Sequence, residues 1–503
     1  MNLASVTAFL LSYPPHGAGF GMYHIDLGVY RIGGRVWLRG GNLYGRLPAT
    51  SGGPRLPFTY PPVAAILLSP LSLVPMAVAG TVLTLGTIAL VAAVLRVFLR
   101  RLAGPSARSR WALAWLLPPA LFLEPVRNTL AYGQVNVVLM ALVSLDCLLD
   151  SRRWPRGALT GLAAAVKLTP AAFVLFFLLR RDHRAAAAAA LSFLAVTGAG
   201  FLLAWHDSMR YWTSTVFHPG RIGGPAYAGN QCIQAVLARA GLDPRAPAGA
   251  AVWLALSIAV VVVACRGMRR AFAASENSWA LSLNAFAALR ISPISWSHHW
   301  VWCVPAVLTL AILGRRHHTR LPLLAAVSGL LVFGAAPQWW FPSAGGRELR
   351  WAVWQQATGS SYVLFAALVL LLSAWAKLTL PPGAGPPATP APRDRPGDSP
   401  APGGDDARRP APDTGARCAG CASSSSPEGA SARPPRADPP GRERARHPPP
   451  AGSPPPRPRP RPAGLPRPPR LPPGPAEQAL IHHGGSHRGS LHSVSLLPGA
   501  GRE

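Results

Sequence analysis

Six groups of polar residues within the first 380 positions have the side chains to carry chemistry. Asp26, in the stretch HIDLGVYRIGG, supplies a carboxylate able to act as a general base, and Arg31, next to Tyr30, could bind an anion. Tyr60 lies in PFTYPP at 57–62, a rigid aromatic lead into an apolar run. Gln134 and Asn136 follow Glu124, Arg127 and Tyr132 between two apolar runs. Lys167 stands in KLTP, Asn230 and Gln231 in GNQ, and His298 and His299 in SPISWSHHW at 292–300. Adjacent positions on a helix point about 100° apart, so the two histidines are poorly placed to chelate one metal. Hydrogen bonding to a phosphate or a sugar suits them better. Each group also has an ordinary reading: Asp26 as a helix-start cap with a solvated ion pair, the others as interfacial polar residues.

Apolar segments must position these groups. The 503 residues are 50% hydrophobic and 14% charged, with a mean hydropathy of +0.23, more than one water-soluble core requires. Apolar runs occupy approximately 75–98, 111–130, 131–149, 185–205, 249–265, 272–290, 300–314, 321–337 and 361–379. The fold class expected is an all-α polytopic membrane protein, a bundle of about 10–12 transmembrane or re-entrant helices with extracytoplasmic loops. Arginine clusters separate the runs at 96–110, 152–156, 180–184, 266–270 and 315–320. By the positive-inside rule they face the cytoplasm, which assigns Asp26, Gln134, Asn230 and His298 to the opposite side.

One stretch breaks the alternation. Residues 157–179 are almost wholly apolar yet lie between two arginine clusters, so they must enter the membrane and return. Pro170 removes a backbone donor and disfavours helix at Thr169, so two half-helices broken at 167–170 are expected. Broken backbone at that depth needs protein or water around it, which points Lys167 into a cavity, reaching toward the outer side. At the amino end, residues 1–13 are apolar but too short to span. A first helix cut short is expected there, with an interfacial segment as the alternative; a cleavable signal is disfavoured because the start is not basic.

The membrane domain is assigned to 1–380 and a Pro/Arg-rich tail to 381–503, which holds 32 of the 56 prolines. The tail is expected to be disordered and cytoplasmic. Of the net charge of +30, +23 belongs to the first region and +7 to the tail. Because the first share sits in short loops beside lipid, a nucleic-acid partner is excluded and a membrane-lipid partner expected. The six cysteines are scattered; a lone CxxC at Cys418 and Cys421 makes neither a zinc site nor a disulfide framework.

Taken in order, Asp26-Leu27 with Val29-Tyr30-Arg31, FTYPP at 58–62, GQVN at 133–136, KLTP at 167–170, GNQ at 229–231 and SPISWSHHWVW at 292–302 resemble glycosyltransferase family 87. These are the actinobacterial polyprenyl-phosphate-mannose-dependent α-(1→2)-mannosyltransferases of the GT-C membrane class. Single motifs are weak, but six in sequence across roughly 22–378 are specific. The resemblance implies transfer of mannose from a polyprenyl phosphate to a mannoside of an envelope glycolipid or glycan, with inversion, outside the cytoplasmic membrane. It makes Asp26 the catalytic base. Tyr30, Arg31, Tyr60, Gln134, Asn136, Lys167, Asn230, Gln231, His298 and His299 are the candidates for holding donor phosphate or sugar.

Physical chemistry agrees with such a scheme. An inverting transfer needs a carboxylate to take the acceptor proton, while the phosphate leaves without a general acid and gains from nearby cations and donors. No DxD triplet occurs, so a divalent ion held between nucleotide phosphates is not expected, and no cofactor is required. A membrane transporter or flippase of a lipid-linked or small polar substrate is the competing reading, since it too uses a broken helix and intramembrane polar groups.

Overall fold

The computed structural model describes residues 24–375 apart from 52, 106 and 151–152. The expectations for 1–13 and for the 381–503 tail lie outside the described residues. Helix α1 (Ile25–Leu38) begins after His24, which is left-handed. Its start is pinned by the His24 N–H, which donates to the Ala131 carbonyl at 2.8 Å. The chain then returns in extended form to Pro61 and enters α2 (Pro62–Leu68), with proline in the first turn where its missing N–H is harmless. Here α1 must be thin. A Cβ on Gly33 would lie 2.6 Å from the Phe58 ring, so glycine lets the FTYPP segment cross α1 in direct contact.

Helices α3 (Pro70–Leu73) and α4 (Met76–Ala103) follow. At 28 residues α4 is about 42 Å long, ample for a hydrocarbon core of about 30 Å. It ends with Arg100 and Arg101 in the last turn, favourable against the carboxyl end of the helix dipole. The apolar runs expected at 111–130 and 131–149 are not two continuous helices. They form α5 (Ala107–Phe122), α6 (Glu124–Tyr132) and α7 (Asn136–Leu148). Leu123 is extended ahead of Pro125, and Gly133 closes α6 in the left-handed conformation that glycine adopts without penalty.

The next element breaks where Pro170 suggests. Helix α8 (Ala158–Val166) stops at Lys167, which is extended at φ −150° and ψ 127°. A 3-10 turn (Thr169–Phe173) then leads into α9 (Val174–Leu179). Beyond it come α10 (His183–Leu203), α11 (Trp205–Thr213), α12 (Ile233–Arg239), α13 (Pro247–Ala273) and α14 (Asn277–Ile291). A second 3-10 segment (Ser297–Trp302) carries the two histidines into α15 (Cys303–Arg316). The described chain closes with α16 (Arg320–Ala335), α17 (Val353–Gly359) and α18 (Ser361–Trp375).

Among the described residues, five helical segments are long and apolar enough to cross a membrane, or six when α17 and α18, bent by 70°, count as one. The remaining apolar pieces are shorter because proline and glycine interrupt them. No strand is formed among the described residues; one isolated bridge joins Asn230 to Trp296. The outer faces of the long helices are greasy: Val78, Val82 and Leu85 on α4, Leu191, Leu194 and Leu202 on α10, and Leu254, Ile258 and Val262 on α13 are all exposed. Spaced three, four or eight apart, they form stripes on faces that water would penalise and lipid would not. The protein is therefore a polytopic all-α membrane protein.

Candidate active site

The polar residues sit at element ends and breaks: the start of α1, the α6–α7 turn, the α8 break and the 3-10 segment before α15. Asp26 occupies the first turn of α1, where the helix dipole favours a negative charge. One turn on, the Tyr30 hydroxyl donates to Gln134 Oε1 at 2.8 Å and lies 3.0 Å from the Tyr60 hydroxyl. The Tyr60 hydroxyl is itself 3.4 Å from the same Gln134 oxygen, and the two rings meet edge to face. Tyr30, Tyr60 and Gln134 are buried, so this triangle fixes three side chains beside the Asp26 carboxylate.

Burial pushes the Asp26 pKa up to about 6, and the Gln134 amide and the Lys167 charge restrain the rise. A carboxylate so placed is mostly ionised at neutral pH and much more basic than an ordinary aspartate, as a proton acceptor should be.

Lys167 lies at the centre of the second half of the site. The extended backbone at the α8 break lets its Nζ donate to Asn136 Oδ1 at 3.0 Å, with His299 Nε2 at 3.1 Å. The ammonium also stands 5.4 Å from the centroid of the Tyr60 ring, within cation–π range, which joins the two halves. Asn136 uses its other end to hold the histidine segment: its Nδ2 donates to the His298 carbonyl at 3.0 Å, as does the Thr129 hydroxyl. The His298 ring packs edge to face on Tyr132 and on His299, and its buried Nε2 has no hydrogen-bond partner among the described residues. A buried nitrogen left in that condition is a candidate to meet a ligand.

Against this cluster lies a cavity of about 50 Å³ between α7, the 169–173 turn, α14 and the 3-10 segment. Asn136, Lys167, Thr169, Ser292, Ser295 and His299 form its polar part; Leu139, Met140, Phe173, Leu289 and Trp302 form apolar walls. The polar end offers a cation and hydrogen-bonding groups to an anion, and the walls offer apolar contact.

Three of the candidates from the sequence lie elsewhere. Asn230 and Gln231 are fully buried and bonded largely to main chain, with Gln231 Oε1 left without a hydrogen-bond partner among the described residues. Asn230 Oδ1 accepts the Ser295 N–H at 2.9 Å, the Gln231 N–H donates to the Ser295 carbonyl at 2.7 Å, and the Gln231 amide reaches the Ala228 and Gly359 carbonyls. They grip the 292–297 segment and so position the histidines at one remove. Arg31 points away from Asp26: its Nε donates to the Leu71 carbonyl at 2.9 Å and its Nη2 to that of Val74.

The structure also gives Glu124 a larger part than its place in the sequence suggested. Fully buried, it accepts Asn128 Nδ2 at 2.6 Å, Trp339 Nε1 at 2.7 Å and the Tyr362 hydroxyl at 2.9 Å. It thereby ties α6 to α18 and to the 337–339 turn behind the histidine segment. The only signal in the sequence is a carboxylate in an apolar run. Among the described residues, no group of three or more His, Cys, Asp or Glu is arranged to hold a metal ion.

This arrangement, with its motifs in order along the chain, can be set against known proteins. The sequence model of Glycosyltransferase family 87 matches residues 58–293. A polyprenol-phosphate-mannose-dependent alpha-(1-2)-phosphatidylinositol mannoside mannosyltransferase of Mycobacterium tuberculosis is 42% identical over 367 residues, covering 70% of this chain and 84% of that one. The chain belongs to glycosyltransferase family 87. The corresponding protein of Mycolicibacterium smegmatis is 39% identical over 372 residues, 70% of this chain and 83% of its own. A phosphatidylinositol pentamannoside mannosyltransferase of the same organism is 38% identical over 299 residues, 59% of this chain and 70% of its own. No solved structure matches the chain. Membership of family 87 makes the protein a membrane glycosyltransferase and decides for the enzyme over the transporter. The family match ends before His298 and begins after Asp26, so the roles of those residues rest on the geometry.

Proposed function

We propose that this family 87 enzyme transfers mannose from a polyprenyl-phosphate-mannose donor to a phosphatidylinositol mannoside, forming an α-(1→2) linkage with inversion at the anomeric carbon. The activities of the relatives support the donor, acceptor class and linkage. The observation that carries the mechanism is the pairing of a basic carboxylate, Asp26, with the Lys167 ammonium, both half-buried, beside a cavity with a polar end and apolar walls.

Asp26 takes the proton of the acceptor hydroxyl as its oxygen bonds to the anomeric carbon, and the bond from that carbon to the phosphate oxygen breaks. The phosphate leaves with the electron pair and a second negative charge. Lys167, held by Asn136 and His299, meets that growing charge, and His298 and His299 offer further hydrogen bonds. Tyr30, Tyr60 and Gln134 hold the carboxylate and shape the sugar site. No step is assigned to a metal. The site opens on the extracytoplasmic side, opposite the arginine clusters, and the tail is cytoplasmic.

Incubation of the purified chain with radiolabelled polyprenyl-phosphate-mannose and phosphatidylinositol mannosides, followed by linkage analysis, tests this reading. A labelled α-(1→2)-mannosyl product is expected. A label that enters no mannoside, or that enters through another linkage, refutes it.

A further inference from the structure

The amino-terminal helix carries a basic face that the transfer chemistry leaves unused. Arg31 and Arg35 on α1 and Arg39, which caps its carboxyl end, recur at four-residue intervals and line one groove. They flank a groove of about 220 Å³ between α1 and the segment 48–51, closed by Met76. Arg35 and Arg39 are exposed, and none of the three pairs with a carboxylate among the described residues. The sequence explains why: from residue 1 to residue 123 the only acidic side chain is Asp26, which belongs to the catalytic cluster.

Like charges four residues apart repel, and this stripe has three. The repulsion is also held in place. Arg31 is anchored by the Leu71 and Val74 carbonyls, while its Nη1 faces only the Met76 sulfur at 3.3 Å, a weak acceptor that leaves the charge uncompensated. Such a site gains from an anion with several oxygens, which guanidinium forks match better than ammonium groups do. Ile32, Val36, Pro48 and Met76 line the same groove and give it apolar surface beside the arginines.

We propose that this groove binds the phosphodiester of the glycolipid acceptor, a proposal that rests on the acceptor class named above. Helix α1 then serves as a ruler. At 1.5 Å of rise per residue, Arg31, Arg35 and Arg39 lie about 8, 14 and 20 Å along the axis from Asp26. An acceptor fixed by its phosphodiester in that interval reaches the base with a sugar one short mannoside away from the lipid anchor. The groove thus selects anionic glycolipids over neutral ones and sets how long the acceptor glycan can be.

The test uses the full chain and the variants Arg35→Gln, Arg39→Gln and their pair, with the lysine pair as a charge-preserving control. Binding is read with radiolabelled phosphatidylinositol, and separately a neutral glycosyl diacylglycerol, at equal mole fraction in phosphatidylcholine vesicles. The wild type should retain phosphatidylinositol preferentially, the glutamine pair should lose it by about tenfold or more, and the lysine pair should recover part. In transfer assays the glutamine pair should raise KM for a phosphatidylinositol mannoside by a similar factor, with kcat and the KM for an uncharged alkyl mannoside unchanged. Equal retention of both lipids would show that the phosphodiester is not what the groove reads and overturn the proposal, as would unaltered binding by the glutamine pair or an equal KM rise for both acceptors. Arginine-dependent retention of phosphatidylinositol without any mannose transfer would support the groove while refuting the activity proposed above.

Discussion

Replacing Lys167 with methionine keeps the length of the side chain and removes the one cation that joins the two halves of the site. Asn136 Oδ1, now 3.0 Å from Nζ, and His299 Nε2, at 3.1 Å, both lose their partner, and the contact with the Tyr60 ring loses its charge. If Lys167 meets the departing phosphate, the loss compares with removal of one preorganised donor at a developing oxyanion, about 3–4 kcal/mol or 10²–10³ in rate. A donor titration at saturating acceptor should show kcat/KM for polyprenyl-phosphate-mannose down by about that factor, with acceptor KM little changed. A second readout separates chemistry from folding. The Lys167 charge holds the Asp26 pKa down toward about 6, so its removal should raise that value and move the acid limb of the pH–rate profile upward. An upward shift of one unit from about 6 would leave roughly half of the carboxylate protonated at pH 7. Unchanged donor use, or a lowered rate with the acid limb in its original place, would refute the assignment.

Three further outcomes are expected. In the wild type, activity should be retained above the Asp26 pKa and fall as pH drops through about 6, because the protonated carboxyl cannot accept the acceptor proton; a rate flat between pH 5 and 7, measured in the same membranes, would contradict this. Glu124→Ala should strand Asn128, Trp339 and Tyr362, costing about 3–5 kcal/mol of stability, whereas Glu124→Gln keeps an acceptor oxygen and should cost less; thermal unfolding of the two variants checks the order. Gly33→Val places a side chain where the Phe58 ring packs, so it should cost about 1–3 kcal/mol and lower turnover by displacing Tyr60, read by unfolding and transfer assays together.

Much of the framework was legible because it follows from backbone chemistry. Pro170 dictates a break, and the structure puts it at Lys167, whose extended backbone turns the ammonium onto Asn136 and His299. Hydropathy shows the stretch from 111 to 149 as two apolar runs and does not register the extended Leu123 or the left-handed Gly133 that divide it into three helices. Asn230 and Gln231 look like ligand-binding amides from their types alone; only the fold shows the Asn230 carbonyl held by the Ser295 N–H and the Gln231 amide N–H groups by the Ala228 and Gly359 carbonyls. The arginines of α1 look scattered along the first outer loop, and the helix is what stacks them. Periodicity within one element could be read from sequence; hydrogen-bond partners brought from remote elements could not.

The account stands most directly on the proton acceptor, and a single-turnover assay of Asp26→Asn tests it. The purified variant, loaded with radiolabelled polyprenyl-phosphate-mannose and mixed with acceptor, should bind both and unfold at the wild-type temperature. Its transfer step should slow by about 10²–10⁴-fold, the contribution of a general base. Transfer at the wild-type rate by that folded variant would contradict the account.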